Sequence, residues 1–102
     1  MAQFDVFRND RGATYPLLVD VQADVFAQLE TRTVVPLARR DRYDTAPISR
    51  ATPTATIGGV DYVIVVPMLS AITRASLGKR VGSLASMRAE LIAALDLLFT
   101  GS

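Results

Sequence analysis

The sequence limits the chemistry that its side chains can perform. Its 102 residues include no histidine and no cysteine, so it has neither the usual general acid and base near neutral pH nor a thiolate nucleophile. Zinc hydrolysis and the Cys-His and Ser-His-Asp mechanisms are therefore excluded. Carboxylates, tyrosines, hydroxyls and arginines remain. We expect no catalytic residue, no metal site and no cofactor.

Arginine supplies ten of the eleven basic residues. Its planar guanidinium pairs bidentately with carboxylate or phosphate, although an arginine-rich proteome is the simpler explanation. Five arginines lie in two charged clusters, Arg8 to Gly12 and Arg39 to Asp44, which by default are solvated turns. The five are Arg8, Arg11, Arg39, Arg40 and Arg42. The net charge of +1 gives no strong general attraction to nucleic acid or to an anionic membrane.

The elements that position these clusters are mostly strands. Phe4 to Phe7 and Tyr15 to Val21 are apolar runs separated by the first charged cluster, which predicts a hairpin. Thr33 to Leu37 predicts a third strand. Pro36 within it favours a sheet edge or a bulge, because proline has no N–H to donate.

The middle of the chain contains the clearest hairpin. Arg39 to Pro53 has no period, which predicts a long loop with a short strand around Ile48 to Ala51. Thr54 to Ile57 and Val60 to Val66, joined by two glycines, predict the hairpin. Its second strand is apolar on both faces, so we expect it to be central in the sheet or covered by another copy of the chain.

The C-terminal part predicts a strand over Ile72 to Leu77 and then a helix from about Ser83 or Ser86 to Phe99. Apolar residues at spacings of three and four form one stripe along this helix. They are Leu84, Met87, Leu91, Leu95 and Leu98. Gly101 lies where a left-handed helix cap is expected. Residues 1–102 thus predict one mainly β domain, a bent antiparallel sheet with a single C-terminal α-helix.

Four segments in fixed order carry a family resemblance. They are Leu18 to Gln22 followed by Asp24, Val34 to Ala38, Ile57-Gly58, and the end Leu97 to Ser102. Their order and spacing resemble the CcdB family of bacterial toxins, the partners of CcdA antitoxins in plasmid and chromosomal addiction modules. The resemblance covers nearly the whole chain and implies an SH3-like barrel-derived, CcdB/MazF-like fold.

The resemblance also implies a target. CcdB-type toxins bind the dimerisation region of the A subunit of DNA gyrase, and they trap the enzyme while it is joined covalently to broken DNA. The matching contact positions are Phe99, Thr100 and Gly101, with Asp96 one turn back, and the apolar pair Val25 and Phe26. The end of the chain departs from the family pattern, because the family typically closes Phe-Trp-Gly followed by an apolar residue and this chain has Phe99-Thr100-Gly101-Ser102. Thr100 in place of the tryptophan matters most.

The expected partners are a CcdA-type antitoxin and a second copy of the chain. Antitoxin tails are typically acidic and fold on binding, so the five clustered arginines predict a docking rim for such a tail. Half of the residues are hydrophobic, which is slightly rich for a small protein and favours a homodimer. We expect no direct sequence-specific nucleic-acid binding.

Two other functions compete with gyrase poisoning. The related MazF and Kid toxins cleave RNA, and without histidine this chemistry requires an arginine and a carboxylate or threonine. Arg8, Asp10 and Arg11 offer such groups. The third function is a CcdB-fold module that no longer poisons gyrase, because Thr100 replaces the aromatic anchor.

The location expected by default is the cytoplasm. Gln3, Asp5 and Arg8 interrupt the region where a signal peptide would be apolar. No apolar run approaches the length of a membrane span.

Overall fold

The structure is a computed structural model that describes residues 2–12, 14–44 and 50–101. These residues form seven strands and one α-helix, with bounds β1 Asp5–Arg8, β2 Leu17–Asp20, β3 Thr31–Arg39, β4 Thr54–Ile57, β5 Val60–Ile64, β6 Ser70–Thr73, β7 Arg80–Ser83 and α1 Arg88–Thr100. Short 3-10 turns lie at Asp24–Phe26, Arg40–Arg42, Val66–Met68, Arg74–Ser76 and Ala85–Met87. Within the described residues, no helix has the length and apolar character needed to cross a bilayer.

The strands form one curled antiparallel sheet in the order β4-β5-β3-β2-β1-β7. Strand β3 has two partners on its outer side, because Thr31 to Val34 pair with β6 and Leu37 to Arg39 pair with β5. The sheet therefore divides at β3 and curls into a half-barrel. The predicted fold, mainly β with a bent antiparallel sheet and one C-terminal helix, is confirmed.

Both predicted hairpins are present. Strands β1 and β2 pair antiparallel, as do β4 and β5. Gly58 and Gly59 have φ angles of 58° and 79°, the left-handed conformations that a two-residue hairpin turn requires. Strand β5 lies between β4 and β3, as its two apolar faces predict, but it ends at Ile64 and a 3-10 turn follows.

The prediction that Pro36 marks a sheet edge or a bulge is wrong. Pro36 lies inside β3, the strand with the most neighbours, and pairs in regular register with Leu18 of β2. Its carbonyl accepts from the Val65 N–H at 2.9 Å. The nitrogen and the carbonyl of a strand residue point to the same side, so the Pro36 nitrogen faces the side of β3 that pairs with β6 and then with β5. Pro36 lies between the residues that pair with these two strands, where the N–H that proline lacks is not needed for a regular ladder.

The predictions between the hairpins and the helix need correction. The strand expected over Ile72 to Leu77 is instead β6, which ends at Thr73, and a 3-10 turn. Strand β7 was not predicted, because it is an edge strand without a buried residue and so has no apolar signature. Helix α1 begins at Arg88, close to the predicted Ser86. The short strand predicted around Ile48 to Ala51 lies partly outside the described residues, and its described residues Arg50 and Ala51 form a turn.

The core has two layers, one on each face of the sheet. The larger layer packs Val6, Val19, Val35 and Ile64 with their neighbours against Leu91 of α1. The smaller layer on the opposite face contains Ala38, Val63 and Val65, with Tyr15 and Tyr43 packed against it. Strands β3 and β5 thus lie between two apolar layers, which explains why they read as continuously apolar.

A fully buried ion pair joins β2 and β3. The side chains of Asp20 and Arg32 are 0% exposed. Arg32 donates from Nε and Nη2 to Asp20 Oδ2 at 2.9 and 2.6 Å. Asp20 Oδ1 accepts from the Gln22 N–H at 3.0 Å. The two charges therefore have partners without water, as buried charges require.

We predict that Arg32→Met destabilises the fold by about 3–5 kcal/mol, because it leaves the Asp20 carboxylate buried without its cation. The double variant Asp20→Asn with Arg32→Met removes both charges and keeps an acceptor for the Gln22 N–H. Its loss of unfolding free energy should therefore be clearly smaller than that of Arg32→Met. Urea unfolding of the wild type and both variants measures these free energies. Equal losses in the single and double variants would contradict this account of the pair.

Candidate functional site

The end of α1 is an ordered, exposed tip, formed by Asp96, Phe99, Thr100 and Gly101. Gly101 has a φ of 74° and donates its N–H to the Leu97 carbonyl at 2.9 Å, which confirms the predicted left-handed cap. The Thr100 hydroxyl donates to the Asp96 carbonyl at 2.7 Å. Phe99 is 70% exposed. The helix tip therefore presents one large aromatic ring to solvent from a capped helix.

Asp96 is unfavourable for the helix that carries it. It lies one turn before the C-terminal end of α1, and the last turn contains no basic residue. The unpaired carbonyls at a helix C-terminus carry partial negative charge, so a carboxylate there is repelled. Helix stability therefore does not explain why Asp96 is at the tip.

A second exposed apolar group lies on the β2–β3 loop, residues 21–30. Val25 is 82% exposed, and Phe26 and Leu29 are each 53% exposed. Val25 and Phe26 are therefore not core residues. The sequence reasoning missed Leu29, although its spacing from Val25 and Phe26 was a signal that it shares their surface.

Hydrogen bonds tie this loop to the beginning of α1. Asp24 Oδ1 accepts from the Gln3 N–H at 2.8 Å, and Gln3 Oε1 accepts from Arg88 Nη1 at 2.8 Å. Phe99 lies eleven residues after Arg88 on the helix, about 16 Å farther along its axis. Hydrogen bonds thus link the β2–β3 loop to the first residue of α1, and the helix tip is the other end of the same helix.

The second arginine cluster contains an internal ion pair. Arg39 donates from Nε and Nη2 to the two carboxylate oxygens of Asp41, at 3.1 and 3.0 Å. This hydrogen bond lowers the pKa of Asp41 and raises the pKa of Arg39. Both groups are therefore charged at neutral pH, and Arg39 already has a carboxylate partner.

Three of the clustered arginines surround the β4–β5 turn. Arg39 and Arg40 line a cleft of about 480 Å³ with Gly59 and Val60. Arg8 lines a neighbouring cleft with Gly58 and Val60. Arg42 is exposed on the 3-10 turn that follows β3. The turn thus lies among cationic side chains from two different parts of the chain, with the carboxylates of Asp41 and Asp61 in the same cleft as Arg39 and Arg40.

Arg11 lies apart from the others. It lines a cleft of about 560 Å³ with Tyr15, Leu18 and Pro36, whereas the cleft of Arg8 contains Leu17. Leu17 and Leu18 are consecutive strand residues and point to opposite faces of the sheet. The predicted rim of five arginines is therefore divided between two faces.

The groups considered for RNA cleavage are not assembled in one cleft. Arg8 and Arg11 line clefts on different faces. Asp10 lies beside Arg8, because the Asp10 Oδ2 and the Arg8 Cβ would be 2.7 and 3.1 Å from a Cβ added at Gly78. Among residues 2–12, 14–44 and 50–101, no group of three or more acidic side chains could hold a metal ion.

Comparison with known proteins agrees with this fold. An endoribonuclease in complex with its cognate antitoxin, from a mycobacterial species, has a TM-score of 0.72 at 15% identity over 96% of this chain and 93% of its own. An Mtb toxin has a TM-score of 0.71 at 20% identity, and the match covers 92% of this chain and 99% of its own. The Mycobacterium tuberculosis toxin MazF-mt6 has a TM-score of 0.70 at 18% identity, and the match covers 93% of each chain. At these identities the likeness concerns the fold alone, which is that of MazF-like toxins.

The sequence comparison identifies the family. No curated protein matches the sequence. Residues 3–101 match the family of the CcdB protein. The chain therefore belongs to the CcdB family and is a toxin of a toxin-antitoxin system.

We predict that Asp96→Asn raises the free energy of unfolding by about 0.3–1 kcal/mol, because it removes a negative charge from the C-terminal end of α1. Glu90→Gln is the matched control and should lower the free energy of unfolding, since the negative charge of Glu90 is favourable in the first turn of the helix. Urea unfolding at low salt measures both, and the two changes should shrink at high salt. A loss of stability in Asp96→Asn would contradict the unfavourable placement.

Proposed function

We propose that this toxin binds the A subunit of DNA gyrase and traps the complex of gyrase with cleaved DNA, as the resemblance to CcdB toxins implies. The observation that carries the proposal is the exposed Phe99 ring on a capped helix end. Aromatic side chains that can be buried by a partner dominate the energetics of protein interfaces. Binding of this kind needs no catalytic residue, in keeping with a chain without histidine or cysteine.

The proposed contact residues come from two parts of the chain, the helix tip and the β2–β3 loop. Within one protomer, the loop is linked through Gln3 to Arg88 at the start of α1, and the tip is the other end of that helix. We propose that a two-fold homodimer places the tip of one protomer beside the loop of its partner, since symmetry brings different regions of two copies together. A two-fold assembly also matches the two-fold symmetry of a pair of gyrase A subunits.

Thr100 changes how the tip binds. Its hydroxyl bonds back to the helix at the Asp96 carbonyl, so it does not supply the aromatic anchor that the family typically has there. Loss of such an anchor commonly costs ~2–4 kcal/mol of binding. We propose that the exposed Val25 and Phe26 offset part of this loss by contributing apolar contact to the same target.

The test is a plasmid cleavage assay with gyrase from the toxin's own host. Supercoiled DNA, ATP and micromolar toxin should accumulate linear DNA with gyrase covalently attached. Phe99→Ser should require about 30-fold more toxin, equivalent to ~2 kcal/mol of lost binding. Val81→Ser is the matched control, because Val81 is also an exposed apolar residue but lies on β7. Absence of linear DNA with the wild-type toxin would exclude gyrase poisoning.

The fold neighbours make RNA cleavage the second candidate, because one of them is an endoribonuclease. Incubation of the toxin with a long RNA in the absence of metal separates the candidates. We expect intact RNA, and cleavage that Arg8→Ala or Arg11→Ala removes would favour the ribonuclease. Expression in a susceptible host without antitoxin tests the third candidate, since a module that has lost its target would not arrest growth.

We also propose that an acidic CcdA-type antitoxin tail docks on the arginines around the β4–β5 turn. Arg8, Arg39 and Arg40 offer positive charge there, Arg42 is exposed on the 3-10 turn that follows β3, and an acidic disordered segment can wrap such a surface as it folds. Arg11, on the other face of the sheet, would contact a different part of the tail.

The Arg39–Asp41 pair allows a specific prediction about this rim. Asp41→Asn should tighten binding of a cognate antitoxin-tail peptide about two- to fivefold, because it releases Arg39 for the peptide's carboxylates. Arg40→Glu should weaken binding about fivefold or more, and both effects should fall with salt. Calorimetric titration measures the affinities. Unchanged binding after charge reversal of both Arg39 and Arg40 would exclude the rim.

A further inference from the structure

The β2–β3 loop is held in place by side chains that reach its backbone carbonyls. The Phe26 carbonyl accepts from Gln22 Nε2 at 3.0 Å and from Arg32 Nη1 at 3.5 Å. Arg74 Nη2 donates to the carbonyls of Ala27 and of Leu29, the latter at 3.3 Å. The Glu30 carbonyl accepts from the Arg74 N–H at 2.6 Å.

The donors are themselves fixed by the sheet. Arg32 is fully buried and pairs with Asp20. Gln22 accepts the Thr33 N–H on its Oε1 at 2.9 Å, which leaves its amide group for Phe26. Arg74 follows β6, which pairs with β3. The loop conformation therefore depends on three side chains anchored in or beside β2, β3 and β6.

This arrangement holds apolar side chains in water. Exposure of Val25, Phe26 and Leu29 is unfavourable by the hydrophobic effect. A loop with free carbonyls would sample many conformations, including ones that partly bury these side chains, and would lose that entropy on binding. A loop fixed beforehand avoids this loss, which is the physical basis of preorganised binding.

We propose that Gln22, Arg32 and Arg74 are positioning residues that preorganise the β2–β3 loop for binding, and that Leu29 is a third contact residue beside Val25 and Phe26. The identity of the partner, the gyrase A subunit, rests on the proposed function. The order of the loop does not depend on the partner and is measured separately.

Gln22→Glu is the most selective variant. It keeps an acceptor for the Thr33 N–H but replaces the amide donor to Phe26 with a second oxygen, which repels the carbonyl. Gln28→Glu is the matched control, because it makes the same charge change at an exposed position of the same loop. Arg74→Ala removes the other clamp, and Arg74→Lys retains one cationic donor.

The partner-free measurement is hydrogen exchange followed by NMR. The N–H groups of Ala27 and Leu29 donate within the loop to the carbonyls of Asp24 and Phe26. Gln22→Glu and Arg74→Ala should accelerate exchange at these two amides at least tenfold, with the melting temperature unchanged. Gln28→Glu should leave exchange unchanged, and Arg74→Lys should restore part of the protection. Exchange in Gln22→Glu and Arg74→Ala equal to that of the wild type would overturn the proposal.

The binding measurement uses the purified dimerisation region of the gyrase A subunit. Gln22→Glu and Arg74→Ala should bind about tenfold more weakly than the wild type, Leu29→Ser should also lose affinity, and Gln28→Glu should not. If the wild type does not bind, the proposed target fails while the exchange result still decides the positioning role. If the wild type binds and the loosened loops bind equally well, preorganisation for binding is wrong although the target is right.

Discussion

The buried pair of Asp20 and Arg32 is the interaction on which the rest of the structure depends. Two unpaired charges could not be enclosed between β2 and β3, because burial in a medium of low dielectric strongly disfavours an isolated ion. The pair therefore fixes the relative position of the two strands. It also extends outward, since Asp20 accepts from the Gln22 N–H and Arg32 reaches the Phe26 carbonyl. One polar network thus connects the centre of the sheet to the loop that exposes its apolar side chains.

The molecule combines a packed scaffold with exposed apolar groups. The divided strand β3 gives the sheet two packed faces, and α1 covers one of them. Exposed apolar side chains lie at the capped end of α1 and on the β2–β3 loop, where hydrogen bonds hold the backbone. Rigid aromatic and aliphatic contacts lose little entropy on binding. Such a surface is suited to the binding role proposed for this toxin.

Much of the fold followed from short-range patterns. The two glycines before Val60 predicted the β4–β5 hairpin, because only a left-handed turn of two residues joins strands so closely. The apolar stripe predicted α1 to within a few residues. The prediction for Pro36 was wrong, because a residue without an N–H is tolerated where a strand changes its pairing partner. Strand β3 changes from β6 to β5 at this point, and the sequence near Pro36 does not show that change. Strand β7 was missed because an edge strand with exposed side chains carries no apolar alternation.

The sequence by itself determined the fold class and the absence of histidine and cysteine chemistry, because these depend on composition and on residues close together in the chain. Only the tertiary structure decided which charges are available. It buried Arg32 against Asp20, paired Arg39 with Asp41 and separated Arg8 from Arg11 across the sheet. These outcomes depend on distances between residues and on their exclusion from water, since Coulomb attraction and desolvation act through space and not along the chain.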